Sequence, residues 1–122
     1  ASGYYIEPTL LGNVSPTSEV AQNEVFGPVT AAIRFSDEEE AVAIANGTPY
    51  GLAGYVHTRD VSRVLRLASA LEAGTVAFNG AGAPAGPGAP FGGYKESGYG
   101  REGGKLGVLE FVQHKTVSVA LS

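Results

Sequence analysis

The chain has 122 residues, a mass of 12.5 kDa and a net charge of −4, which bounds it to one modest domain without the Lys/Arg cluster that nucleic-acid binding needs. Hydrophobic residues make up 43% and charged residues 16%, a balance that suits a buried interior better than disorder. Cysteine is absent, which excludes disulfides, thiolate–metal sites and a cysteine nucleophile within these residues.

No apolar run approaches the roughly 18 residues that span a bilayer. The opening ASGYYIEP carries neither the basic nor the apolar stretch of a secretion signal. Together these predict a soluble chain with no membrane partner, placed in the cytoplasm. Methionine is also absent, even at position 1, as it would be in a piece of a longer polypeptide.

Residues 4–14 read as extended and 18–23 as a short helical turn. In VTAAIRF, 29–35, the side chains of Val29, Ala31, Ile33 and Phe35 alternate as in a strand with one buried face. Ser36 then opens SDEE, whose spacing predicts a capping box between Ser36 and Glu39, with Asp37 and Glu38 favoured by the helix dipole. Ala41, Val42, Ile44 and Ala45 form the apolar stripe of that helix, and Asn46-Gly47 ends it. A strand follows over 52–58. Asp60 caps a second helix, whose apolar positions Val61, Val64, Leu65, Ala68 and Leu71 recur at three and four residues, with Gly74 as its left-handed terminus. TVAFN, 75–79, is a short β-branched and aromatic strand. The order predicts an α/β fold, a β-α-β-α-β unit with parallel strands and right-handed connections.

Twelve of the 18 glycines fall between positions 74 and 107. They mark a long uncharged loop, GAGAPAGPGAPFGG (80–93), and then a helix over 101–113. Gly103, Gly104 and Gly107 each cost that helix about 1 kcal/mol relative to alanine. TVSVAL, 116–121, alternates Val117, Val119 and Leu121 on one face. This final strand must pair somewhere, and another subunit is the natural place.

Few residues carry chemistry by themselves. GYGREG, 98–103, matches the letters of a dinucleotide fingerprint. It lacks the buried strand before it and the acid some 20 residues after it, so it reads as a glycine-rich packing turn. His57 and His114 stand on different elements with no metal-ligand company, and Ser97 lacks the strand–turn–helix setting of a nucleophile. The carboxylates at 37–40 and at Glu102 and Glu110 suit capping and surface charge. Arg101-Glu102 reads either as a helix start or as a local ion pair. The 80–93 loop reads either as a site wall or as a disordered linker. In NEVFGPV, 23–29, Glu24 alone reads as a surface acid at a helix end.

Four motifs together change that reading. NEVFGPV, LASALEAGTVAFN, APFGGYKESGYGREGG and the terminal KTVSVAL resemble, in order and spacing, the C-terminal quarter of NAD(P)-dependent aldehyde dehydrogenases. The resemblance runs from GYYIEPTLL to the last strand. It implies that residues 1–113 are part of the catalytic domain and that 114–122 are an oligomerisation strand. It also implies that Glu24 accepts hydrogen bonds from the ribose hydroxyls beside the nicotinamide, as an ionised carboxylate can. Phe26 would pack near the nicotinamide ring, and an aromatic face orients a flat heterocycle without reacting with it. Phe91 would line the aldehyde entrance, and Asn79 would anchor the loop between them. Residues 80–90 hold no aromatic or bulky aliphatic side chain, unlike many relatives, which implies a wide entrance and larger aldehydes.

The family's reaction oxidises an aldehyde to an acid with NAD or NADP, using a cysteine nucleophile and a glutamate-activated water. Those parts lie upstream of the residues present, so the chain by itself is expected to be inactive, to have no catalytic or metal-binding residue and to hold no cofactor tightly. The partners implied are the N-terminal remainder of the same enzyme and further copies joined through 116–121. Two other readings compete. One is a freestanding, non-catalytic assembly module of the same fold. The other is a small nucleotide-binding domain, which has only Glu24 as a plausible ribose contact. A piece of a larger enzyme should also expose apolar faces.

Overall fold

The computed structural model describes residues 3–80 and 86–121. Along the chain run β1 (Thr9–Leu11), α1 (Glu19–Gln22), β2 (Val29–Ala31), α2 (Glu38–Asn46), β3 (Tyr50–Gly51), β4 (Ala53–Val56), α3 (Val61–Ala70), β5 (Thr75–Phe78), β6 (Tyr94–Lys95) and α4 (Gly104–Leu109). The fold is α/β with parallel strands, and it divides into two units, Ala1–Pro49 with Asp60–Glu72, and Tyr50–Arg59 with Ala73–Ser122.

In the first unit β1 and β2 pair in parallel, Thr9 opposite Val29 and Leu11 opposite Ala31. The alternation read from VTAAIRF holds for Val29, Ala31 and Ile33, which are half-buried, but the strand ends at Ala31, leaving Ile33 and the 62% exposed Phe35 outside it. β2 was expected to share one parallel layer with the strands after it. Instead it pairs with β1, and among the described residues the ladders are each two-stranded.

The N-cap falls one residue later than the spacing suggested, and the reciprocal half of the predicted box goes to the residue before it. Asp37 is the N-cap of α2, its Oδ1 accepting from the Glu40 N–H at 2.9 Å. Glu40 Oε2 reaches back to accept from the Ser36 N–H and hydroxyl at 2.7 and 2.6 Å. An ionised carboxylate accepts more strongly than a hydroxyl, so Asp37 takes the cap and Ser36 donates to Glu40 instead. The two bonds from Ser36 hold the Glu40 carboxyl below its ordinary value.

Asn46 closes α2 with its side chain rather than by yielding to a left-handed glycine, since Gly47 has φ −77°. Its Nδ2 donates to the Ala70 carbonyl at 2.8 Å, and its Oδ1 accepts from the Glu72 N–H at 2.9 Å. That ties the end of α2 to the end of α3. At the other end Glu38 receives Arg63 at 2.8 Å and Arg66 at 2.7 Å. Those two guanidinium groups hold its carboxyl down at about 2, Arg66 contributing most.

Asp60 caps α3 as predicted, accepting from the Ser62 and Arg63 N–H groups. The buried line of α3 differs from the stripe read in the sequence. Leu67 is buried and Val64 and Leu71 are half-buried, while Val61 and Leu65 are 72% and 68% exposed. Apolar residues occupy two faces of this helix, and periodicity alone does not say which one packs.

In the second unit β4 and β5 pair in parallel, from Ala53 opposite Thr75 to Val56 opposite Phe78. β3 and β6 pair antiparallel, Tyr50 opposite Lys95. Gly74 is not the left-handed terminus of α3, which ends in an extended Leu71. Its lack of a side chain serves close packing, because a Cβ there would collide with the Gly92 carbonyl. The helix expected over 101–113 is confined to 104–109. Its N-cap Gly103 and first residue Gly104 have φ of 74° and 57°, conformations that favour glycine and keep the helix from starting earlier. Residues 116–121 form no ladder, with Val117, Val119 and Leu121 exposed at 74%, 72% and 94%. A strand needs a second strand to bond to, and none of the described residues supplies it.

Among the described residues the only buried hydrophobic side chains are Leu67 and Ala77. The accessible area is 9719 Å². A folded monomer of this mass exposes about 6,200 Å². Composition suited a buried core, and the described residues bury little apolar surface among themselves.

Candidate functional site

Glu24 and Phe26 stand on the link between α1 and β2. The α1 helix ends at Gln22, and Asn23, in extended backbone, turns the chain outward. Glu24 is exposed, and its carboxylate has no hydrogen-bond partner among the described residues. It shares an open depression of about 320 Å³ with Glu19, Val20, Asn23 and Val25. Phe26 is 90% exposed and has φ 49°, a left-handed backbone that an aromatic residue adopts only under constraint. Gly27 and Pro28 then turn the chain into β2, the Val29 N–H donating to the Gly27 carbonyl at 2.8 Å.

This link offers an acceptor and an aromatic face outside any core. Two carboxylates border the depression, which suits neutral hydroxyl donors and repels phosphate. These acceptors suit hydroxyl donors such as those of a ribose and do not suit a pyrophosphate. GYGREG does not supply the missing phosphate site. β6, which precedes it, is two residues long, and the sites where Gly103 and Gly104 would carry side chains are filled by the Ala89 and Gly88 carbonyls.

Phe91 belongs to the second unit and is half-buried. Its N–H donates to the Glu102 carbonyl at 2.8 Å, and the Glu102 N–H donates back at 2.7 Å. Between them the chain makes a closed turn. The Ser97 hydroxyl accepts from the Gly51 N–H at 3.0 Å. Arg101, read in the sequence as a helix start or an ion pair with Glu102, turns its guanidinium onto the Gly93 and Gly100 carbonyls at 3.0 and 2.8 Å. It also covers the Tyr94 ring, 5.6 Å from the centroid. Sequence reasoning missed this role. The available signal was the density of glycines at 92, 93, 98 and 100, which exposes carbonyls to a nearby donor.

Asn79 ends β5 with φ 54° and brackets Thr58, one residue beyond His57 after β4. Residues 81–85, the part of the glycine-rich loop read as the entrance wall, lie outside the described residues.

The model of the aldehyde dehydrogenase family matches residues 1–117. The chain belongs to the aldehyde dehydrogenase family. A Staphylococcus saprophyticus protein named provisionally as an aldehyde dehydrogenase is 47% identical over 116 residues, 95% of this chain and 24% of the relative. The Mycobacterium tuberculosis aldehyde dehydrogenase complexed with NAD+ has a TM-score of 0.84 at 46% identity, over 91% of this chain and 23% of that one. The Staphylococcus aureus betaine aldehyde dehydrogenase in complex with NAD+ gives 0.82 at 44%, over 88% and 21%. This aldehyde dehydrogenase chain thus spans about a quarter of the length of the relatives it matches.

Proposed function

We propose that these residues form the C-terminal part of an aldehyde dehydrogenase that oxidises an aldehyde to a carboxylic acid with NAD(P), and that they are inactive without the remainder. The observation that carries this reading is a family match along almost the whole chain that fills only 24% of a relative's length. The exposed apolar area agrees with it, because surface of that extent is what a missing part of the same polypeptide would cover. Two similar structures are complexes with NAD+, which favours NAD as the cofactor.

In this reading Glu24 accepts hydrogen bonds from the ribose hydroxyls, and the Phe26 ring lies along the nicotinamide. Bound NAD(P) supplies the hydride acceptor. The residues present orient it and exclude water around it, while Phe91 borders the aldehyde entrance. The uncharged loop beside Phe91, poor in bulky side chains, admits aldehydes larger than two carbons. Residues 114–122 join copies of the enzyme, and the enzyme works in the cytoplasm.

The test is steady-state kinetics of the complete enzyme. Glu24→Gln halves the acceptor strength at the ribose and raises the KM for NAD+ about tenfold, with little change in the KM for the aldehyde. An unchanged KM for NAD+ would remove Glu24 from the cofactor site. Turnover confined to two-carbon aldehydes would contradict the wide entrance.

A further inference from the structure

We propose that Arg101 is a positioning residue for the aldehyde entrance, holding the 91–102 turn closed and so fixing where the Phe91 ring stands, an inference that rests on the reading of Phe91 above. Three observations converge on it. The Arg101 guanidinium donates to the Gly93 and Gly100 carbonyls, the first only two residues from Phe91. Glu102, next to Arg101, pairs with Phe91 through both backbone bonds. The arginine side chain also passes close to Gly92, where a Cβ would sit 2.9 Å from Arg101 Cδ and Nη1 and would collide with the Gly100 carbonyl.

The chemistry requires arginine. Both carbonyls accept from one guanidinium nitrogen, Nη1, whose two N–H groups are fixed in the plane of the group, while its face rests on the Tyr94 ring at 5.6 Å. A lysine ammonium can donate to two carbonyls but has no planar face to rest on the ring and no fixed direction for its donors. Arg63 and Arg66 pair with Glu38, whereas Arg101 spends its donors on carbonyls of the turn. Its action is therefore geometric: it draws the two ends of the turn together beneath the Phe91 backbone. Glycine at 92 and 93 leaves room for this, because side chains there would meet Arg101 and Ser97.

The experiment compares Arg101→Gln, Arg101→Lys, Phe91→Ala and the Phe91→Ala/Arg101→Gln double variant in the complete enzyme. Arg101→Gln is expected to raise the aldehyde KM about tenfold and leave the KM for NAD+ within about twofold, with Arg101→Lys intermediate at about threefold. The double variant should be no worse than the more severe single one, since both act on the same ring. An aldehyde KM that rises in Phe91→Ala but not in a folded Arg101→Gln overturns the positioning role and leaves the entrance reading standing. Phe91→Ala without effect overturns the entrance reading and the proposal with it. Should the glutamine variant not fold, a wild-type aldehyde KM in Arg101→Lys overturns the proposal.

Discussion

The side-chain amide of Asn79 pairs with both backbone groups of Thr58, its Oδ1 accepting from the N–H at 2.9 Å and its Nδ2 donating to the carbonyl at 2.9 Å. The Asn79 N–H donates to the Val56 carbonyl at 2.8 Å, so the parallel ladder of β4 and β5 extends one residue further through a side chain. The glycine-rich loop thus leaves the strand from a fixed point.

Asn79 tests two effects separately, because its φ of 54° also disfavours most side chains. Asn79→Gly loses the bracket but keeps the backbone, and is expected to cost about 1 kcal/mol. Asn79→Ala loses both and should cost about 1 kcal/mol more. Urea denaturation of the two variants checks the order. An alanine variant as stable as the glycine one would contradict the account of the backbone.

Gly74→Ala drives a methyl group into the Gly92 carbonyl, and both neighbours are backbone. A loss of about 2–3 kcal/mol is expected, the upper range for overpacking. Gly12→Ala is the control, since nothing lies within 4 Å of a Cβ there. It should change stability by less than about 1 kcal/mol. Thermal melts of the pair decide it.

Glu38 makes the chain acid-sensitive. Its folded carboxyl is held at about 2 against an ordinary 4.5, by Arg66 first and Arg63 second. A depressed carboxyl stabilises the fold fully above the ordinary value. That contribution fades as pH falls from 4.5 towards 2. Glu38→Gln should therefore be less stable than wild type at pH 7, with the difference closing by about pH 2. The two arginines are exposed and Glu38 is only half-buried, so the gap is small and shrinks with salt. Equal stability of the two proteins at pH 7 in low salt would contradict this.

The terminal segment tests the assembly reading. Proline at 119 removes an N–H from the alternating run Val117, Val119 and Leu121. In the complete enzyme Val119→Pro should lower the assembled mass seen by light scattering. An unchanged mass would place the subunit contact elsewhere.

Much of the fold was legible in short-range patterns. Asp60 before Val61, the alternation of Val29, Ala31 and Ile33, and the strand TVAF were readable because each rests on neighbours in sequence. What was not legible depends on distant partners. Leu67 rather than Leu65 is buried on α3, and β2 pairs with β1, because the choice between apolar faces and between strands is tertiary. The N-cap slipped from Ser36 to Asp37 because two acceptors competed one residue apart. At the candidate site, Glu24 and Phe26 look ordinary by composition. Only the motif around them pointed to a cofactor, and the exposed, left-handed Phe26 backbone was invisible in the letters. Arg101 was misjudged because its partners are carbonyls, which no sequence pattern displays.

The most direct test raises antiserum against these 122 residues and probes extract of the source cells, assaying the captured polypeptide for aldehyde-dependent reduction of NAD+. The account predicts one active band about four times 12.5 kDa, the ratio set by the share of its relatives that the chain covers. An inactive band at 12.5 kDa would contradict it and favour a freestanding assembly module.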